Sequence, residues 1–535
     1  MPVTDLLDKL RGGYYTPPEV ARFICEWAIT SSDSNVLEPS CGDGVFIEEA
    51  YKRLDKLGAE DPAKQILGIE LYKSEAIKAE KRGGRVLCGD FFTLCSEDIR
   101  ECRYEAIVGN PPFIRYQDFG EEYRERAFEL MRQYGFSPNR LTNIWLPFLV
   151  VCCHLLTEDG RLGMVIPAEL FQVKYAAETR EFLTNYFANV TVVSFSDLLF
   201  DGAQQEVVLL LAERRSKSLE RGIRMVEQTD SRSLSSLTRP QLEAVSCKRK
   251  LPDSVKWQAY YLDNKVLDLA RELTAHQNVR TASELFEVNV GIVSGQNSFF
   301  VIDRHTAQAY GVAEACVPII SRSLQLDGLI LTEDDFERQL NANHNVLLFL
   351  PEGELNDDEA GYIEVGEGKG VNENYKCRIR TPWYKVPTSW KPDAFFYRQV
   401  GSYPRMVINE KRAHVTDTLH KIRFFDGVDE KAVAVAFNNS FTFVASELAG
   451  RSYGGGVLTF EPSEVRSLPI PYVAPFTYDF EKADTLARSN RLEELIEYVD
   501  NLVLIQGLGL SRSDVELLRG SWLALRGRRL ARKKK

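Results

Sequence analysis

The chain has no surplus of positive charge, no long apolar run and no paired-cysteine motif, and each absence removes a class of function. Its longest apolar stretch, 144–156, is interrupted by Pro147 and closes beside His154, well short of the ~18–20 residues a membrane span requires. No membrane partner is expected. The opening residues, Met1-Pro-Val-Thr-Asp-Leu-Leu-Asp, lack a basic segment followed by an apolar one, so the expectation is a cytoplasmic protein without a secretory leader. The ten cysteines contain no Cys-x-x-Cys; Cys152 and Cys153 sit side by side in the apolar stretch, and Cys88, Cys95 and Cys102 have no nearby His. No metal site is expected, and the thiols read as reduced and partly buried. Repeats of solenoid period are also lacking.

What is present is material for several cores. The 535 residues are 44% hydrophobic and 27% charged, which predicts two or three globular domains and argues against disorder. The formal charge of -11 first suggests a protein that avoids phosphate backbones. The charge is unevenly spread, however. Residues 351–375 hold eight acids against the single base Lys369, whereas 376–423 hold eleven bases against three acids. The chain also ends in a basic run, Arg-Gly-Arg-Arg-Leu-Ala-Arg-Lys-Lys-Lys. Net charge is therefore an average over opposite regions and does not by itself exclude a nucleic-acid partner.

Along the first third, helix and strand patterns alternate. Thr16-Pro17-Pro18-Glu19 reads as a helix start, with Thr16 as cap and Glu19 closing a capping box. Strands are predicted at 35–39, 66–70, 85–90 and 104–109, with helices at 45–57 and 73–81 between them. After a gap come a helix at 141–156, a turn at 158–160 and a strand at 161–167. Two further strands, 190–195 and 206–212, are joined too closely for a crossover and should be antiparallel. The fold class is thus α/β, a Rossmann-like, doubly wound sheet with helices on both faces over 1–213. Residues 214–254 read as a linker or docking segment, 255–478 as a mixed α+β domain, and 479–535 as a helical segment (479–506) followed by a mobile basic tail.

Ligands of open α/β sheets sit at the carboxyl ends of the strands, and polar residues collect there. Glu38-Pro39-Ser40-Cys41-Gly42-Asp43-Gly44 follows the first strand, Glu70 ends the second and Asp90-Phe91 the third. The loop lacks the three-glycine dinucleotide pattern, but the set suits an adenosine-containing cofactor. Glu70 would take ribose hydroxyls, and Asp90 and Phe91 the adenine. Asn110-Pro111-Pro112-Phe113 ends the fourth strand. Its prolines remove two N–H donors and leave rigid carbonyl and amide acceptors suited to an exocyclic amine, beside a ring that can stack on a base.

The order Tyr15-Thr16-Pro17-Pro18, Leu37-Glu38-Pro39, Glu70, Asp90-Phe91, Asn110-Pro111-Pro112-Phe113 resembles the gamma class of S-adenosylmethionine-dependent DNA adenine-N6 methyltransferases, type II modification enzymes with a C-terminal target recognition domain. The likeness covers about 10–213 and extends more loosely over 255–475, through Val290-Gly291-Ile-Val-Ser-Gly295-Gln-Asn-Ser-Phe-Phe and residues 450–471. The resemblance implies a seven-stranded methyltransferase sheet. It also implies a cofactor pocket of Thr16, Glu38, Pro39, Ser40, Cys41, Gly42, Glu70, Leu71, Asp90, Phe91 and Asn110. Catalysis falls to Asn110, Pro111, Pro112 and Phe113. Phe113 and Phe200 would hold a flipped adenine, with Asp201 standing where the family usually has Pro.

The implied substrate is double-stranded DNA, a monomer is expected, and a cognate restriction endonuclease is the expected companion. Arg378, Arg380, Lys385, Lys391, Arg398, Arg405, Lys411 and Arg412 are candidate DNA contacts because aromatic residues interleave them. Other readings remain: N4-cytosine methylation, a methylation subunit of a larger system, and, remotely, a fused nuclease suggested by Asp358 with Glu367-Gly368-Lys369.

Overall fold

The computed structural model describes residues 16–531 apart from 198, 200–205, 215–221, 249, 252–254, 389, 454 and 473–476. The chain divides into two units, Met1–Asp263 and Asn264–Lys535.

In the first unit the strands form one eight-stranded sheet in the order β3-β2-β1-β4-β5-β7-β6-β8. Its members are β1 (Val36–Glu38), β2 (Ile66–Glu70), β3 (Arg85–Cys88), β4 (Tyr104–Gly109), β5 (Leu156–Pro167), β6 (Asn189–Phe195), β7 (Val207–Glu213) and β8 (Gly222–Gln228). The first five are parallel, and β7 runs antiparallel to β5 and β6, as the short connection predicts. Period-two side-chain alternation feeds a separate core on each face. Val208, Leu210 and Ala212 of β7 enter one core, with Phe91 and Phe92 of α4 (Phe91–Ser96), Met131 of α5 (Glu121–Gln133) and Trp145 of α6 (Trp145–His154). Val207, Leu209 and Leu211 enter the other, with Ile24 of α1 (Pro18–Ala28) and Phe46, Ala50 and Leu54 of α2 (Val45–Leu57). Between them, α3 (Lys73–Glu80) connects β2 to β3.

Four expectations for this unit change. The sheet has eight strands rather than seven, because 222–228, within the expected linker 214–254, pairs in parallel with β6 over seven residues. Ile223 and Val226 lie buried there amid a polar sequence that masked them. No turn interrupts 158–160; β5 begins at Leu156, and its residues 157–160, set against Glu105 alone of β4, are absorbed as a register irregularity. The unread gap holds α5, whose Ala127, Phe128, Leu130 and Met131 are buried. At α1 the cap is Pro17, with no side-chain capping bond, and the Thr16 hydroxyl has another partner, described below.

The second unit is mixed α+β, with a five-stranded sheet in the order Phe286–Val290, Leu419–Phe424, Ala394–Tyr397, Met406–Asn409 and Ile330–Leu331. The acidic stretch forms a helix, Asp357–Gly368, begun by a reciprocal Asn356/Glu359 capping box. A Cβ on Gly366 would lie 2.7 Å from the Phe299 ring, so glycine here serves aromatic packing, with Tyr362 stacked on Phe299 at 4.7 Å. Asp358 and Glu367, the carboxylates of the nuclease-like match, are nine residues apart on this helix. That is about 13 Å of rise, too far to share a metal ion. The expected helix over 479–506 is three pieces, Phe480–Arg488, Leu492–Val499 and the π-helical Asp500–Gly507, with Asn490 in the left-handed conformation at the first break.

The supposed mobile tail is a twenty-residue helix, Arg512–Ala531, that buries Val515, Leu518, Trp522, Leu525 and Arg529 at helical spacing. Residues 532–535 fall outside the described residues.

Candidate active site

The parallel strands β3, β2, β1 and β4 deliver their carboxyl ends to one edge, and the chain winds away in opposite senses on either side of β1. This is the switch point at which open α/β sheets form a crevice. A cavity of about 410 Å³ lies there, within the usual range for small-molecule sites. Thr16, Glu38, Pro39, Ser40, Cys41, Gly42, Glu70, Leu71, Asp90, Phe91, Asn110 and Pro112 all line it.

The loop after β1 is held by backbone geometry. Cys41 N donates to Ile69 O at 2.9 Å, and a Cβ on Gly68 would approach Cys41 Sγ to 3.1 Å and Ile47 Cδ1 to 2.7 Å. Glycine in β2 therefore lets the loop settle onto the sheet. Gly44, at φ 90° before α2, faces the Ala79 backbone so closely that any side chain would collide with it. Glu70 accepts from Gly42 N and Tyr72 N, each at 2.9 Å. Burial raises its pKa, and these two N–H groups oppose the shift. Asp90 caps α4, its Oδ1 accepting from Thr93 N at 2.8 Å and Thr93 Oγ1 at 2.9 Å; burial raises its pKa too, against those bonds.

Glu38 is 2% exposed. Burial pushes its carboxyl well above the usual range, and the negative charges of Asp43 and Glu70 add to the effect. Its Oε2 is buried without a hydrogen-bond partner among the described residues. Such an orphan costs about 1–3 kcal/mol, which suits a donor supplied by a ligand.

Asn110 follows β4, and its Nδ2 donates to Thr16 Oγ1 at 3.2 Å. That bond engages the Thr16 hydroxyl, which does not cap α1. Ser40 Oγ donates to Asn110 O at 3.3 Å, tying the loop after β1 to the one after β4. Pro111 is buried, and Phe113 is half-buried, packing against both cores. Phe200 lies outside the described residues.

One wall was not legible in the sequence. Asp118, Phe119, Gly120 and Tyr123 also line the cavity. Phe119 meets Tyr123 at 6.2 Å and Phe92 at 6.5 Å, while Phe91 stacks on Phe148 at 4.9 Å. The only signal was a cluster of aromatics just after Asn110-Pro111-Pro112-Phe113.

The candidate DNA contacts fall into two groups. Arg380 donates to Ser294 O and Val293 O, both at 2.6 Å. Arg398 pairs with Glu461 at 3.0 Å, Lys411 with Glu333, and Arg412 with Asp393. Arg405 donates to Gly328 O and lies over the Tyr397 ring at 5.0 Å. All five have structural partners, and the interleaved Phe395, Phe396 and Tyr397 are core residues. Arg378, Lys385 and Lys391 are exposed.

Residues 4–250 match the N-6 DNA methylase family, and residues 254–504 match the C-terminal domain of the type II methyltransferase M.Eco57I. Together these matches span nearly the whole chain, which is a sequence-specific DNA methyltransferase of the N6-adenine type. Its relatives include the type II methyltransferases M.AccI of Acinetobacter calcoaceticus, 22% identical with 84% of each chain covered, and M.XamI of Xanthomonas campestris pv. amaranthicola, 21% identical with 86% of this chain and 85% of the relative covered. The fold resembles that of the type IIL restriction-modification enzyme MmeI, solved in complex with DNA. The TM-score is 0.55 at 12% identity, over 92% of this chain and 73% of that one.

Proposed function

We propose that the cavity binds S-adenosylmethionine and that Asn110, Pro111 and Phe113 present a flipped adenine to it. The observation carrying this reading is the Asn110 amide, anchored through Thr16 at the rim of a 410 Å³ cavity that has the unpartnered Glu38 Oε2 in its wall. The lining residues fit the group. Glu70 would hold the ribose hydroxyls, Asp90 and Phe91 the adenine, and Glu38 an ammonium or other donor of the methionine part. When bound, S-adenosylmethionine supplies an activated methyl group on a sulfonium.

The protein's own contribution is directional. An adenine N6 is a weak nucleophile because its lone pair is delocalised into the ring. If the Asn110 amide oxygen and the Pro111 carbonyl accept both N6 hydrogens, the nitrogen pyramidalises and its lone pair turns out of conjugation. Positioning and electrostatics then do the catalysis, without a strong base. Because the amine is inaccessible in a stacked duplex, the base must leave the helix at a cost of a few kcal/mol. Stacking on Phe113 offsets about 1–3 kcal/mol of this, and Phe200 is proposed for the other face. Arg378, Lys385 and Lys391 are proposed phosphate contacts, and a cognate restriction endonuclease is the proposed companion.

Two outcomes check this reading. Phe113→Ala should lower affinity for a duplex with a fluorescent adenine analogue at the target by about tenfold and reduce the emission of the unstacked base; unchanged emission would remove Phe113 from the base site. Glu70→Ala should raise the dissociation constant for S-adenosylmethionine about 10- to 150-fold, since hydrogen bonds to a charged group contribute about 1.5–3 kcal/mol. Calorimetry showing wild-type affinity would exclude the ribose assignment.

A further inference from the structure

The segment Val290-Gly291-Ile-Val-Ser-Gly295 has no part in the methyl-transfer site. It follows the strand Phe286–Val290 and is clamped on both sides. A Cβ on Gly291 would come within 2.1 Å of Thr416 O, and one on Gly295, at φ 95°, within 2.8 Å of Cys377 Sγ. Ile292 N donates to Val415 O at 2.7 Å, and the Arg380 guanidinium takes Ser294 O and Val293 O together. The two glycines and Arg380 thus build a rigid backbone ledge.

That ledge is one wall of an open cleft of about 360 Å³. Lys376, Ile379, Arg380, Pro387 and Lys421 form the others. The lining holds three cations and no acid, in a chain whose net charge is -11. Apolar side chains are also left in water, with Ile379 60% and Val293 38% exposed. The basic surface continues beyond the cleft. Outside its lining, Arg423 lies 4.3 Å from the Trp390 ring centroid, on which the cleft's Lys421 Nζ also rests at 4.4 Å, an arrangement that orders long cationic side chains before any ligand arrives.

We propose that this cleft is the DNA seat of the second unit. Lys376 and Lys421 contact phosphates flanking the target, and Ile379, against the fixed ledge, contacts a base edge. The proposal rests on the reading of the chain as a DNA methyltransferase and adds which surface of the recognition region meets the duplex. A polyanion fits the cations, and a groove edge, with its apolar methyl and ring atoms, fits the exposed Ile379 and Val293. Arg380 is a positioning residue, since its donors already hold the ledge.

The test is duplex binding by the full chain at several salt concentrations, with DNA carrying the methylated sequence. Each phosphate contact contributes about 0.9 to the slope of log affinity against log salt. The double variant Lys376→Ala/Lys421→Ala should therefore reduce the slope by about 1.8 and weaken binding at least tenfold, while S-adenosylmethionine affinity stays unchanged. Lys376→Glu, a single change at an exposed position, should weaken binding by a similar factor even if the double variant folds poorly. Lys411→Ala, whose charge is already paired with Glu333, should leave the slope as it is. Wild-type slopes and affinities for both cleft variants would overturn the cleft as the DNA seat while leaving the methyltransferase reading intact. Failure of the unaltered protein to bind or methylate any duplex would overturn both.

Discussion

Asn110→Ala is expected to lower the rate of methyl transfer about a thousandfold while leaving S-adenosylmethionine affinity within about threefold. The amide oxygen is proposed to act on the amine as its charge develops, and removing one preorganised polar group of this kind costs about 10²–10³ in rate. Loss of the adenine's positioning adds to that. Cofactor affinity should persist because Glu70 keeps its bonds to Gly42 and Tyr72 and Asp90 its own to Thr93. Thr16→Val offers a graded companion. It keeps Asn110 but removes the hydroxyl that accepts from Asn110 Nδ2, so kcat should fall about tenfold through misorientation of the amide. Single-turnover kinetics on a saturating duplex measures both, and undiminished transfer by Asn110→Ala would remove the residue from the chemistry.

Arg529→Ala is expected to destabilise the second unit by about 3–5 kcal/mol, the usual cost of stranding one partner of a buried ion pair. Arg529 is 3% exposed. It makes a two-pronged contact with Glu447, at 2.9 and 2.7 Å, and also donates to Gly401 O and Gly456 O. Trp522, one helical repeat earlier, packs on Phe443 at 5.0 Å. The helix Arg512–Ala531 therefore closes the unit. At about 2–4 °C per kcal/mol for a domain of this size, the melting transition should fall by roughly 10 °C. An unchanged transition would show that the helix end is undocked.

Much of the first unit was legible because its physics is local. Strands of period two, short loops of small residues and acids at strand ends recur in register, and a parallel sheet gathers those ends at one edge. Glu38, Glu70, Asp90 and Asn110 thus meet although they are spread over seventy residues. What escaped depended on tertiary context. The strand Gly222–Gln228 sits in a polar sequence and exists because β6 offers it an edge. Thr16 looked like a cap, but Asn110 lies close enough to use its hydroxyl.

The second unit hid more. The helix Asp357–Gly368 went unread because it is rich in glycine, of which Gly366 leaves room for the Phe299 and Trp383 rings; the Asn356/Glu359 capping box was the overlooked local signal. The basic residues at 376–423 read as one DNA-facing set. Folding splits them into cations already engaged, such as Arg380 and Arg398, and cations exposed at the surface, such as Arg378 and Lys391. Arg529 was read as part of a basic tail, because a single buried arginine is indistinguishable in sequence from its solvated neighbours.

The most direct test of the central claim is to sequence DNA, with detection of modified bases, from cells expressing either the unaltered chain or Asn110→Ala. N6-methyladenine confined to one recognition sequence in the first, and absent in the second, is the expected result. N4-methylcytosine in place of N6-methyladenine, or the same methylated sites in both, would contradict it.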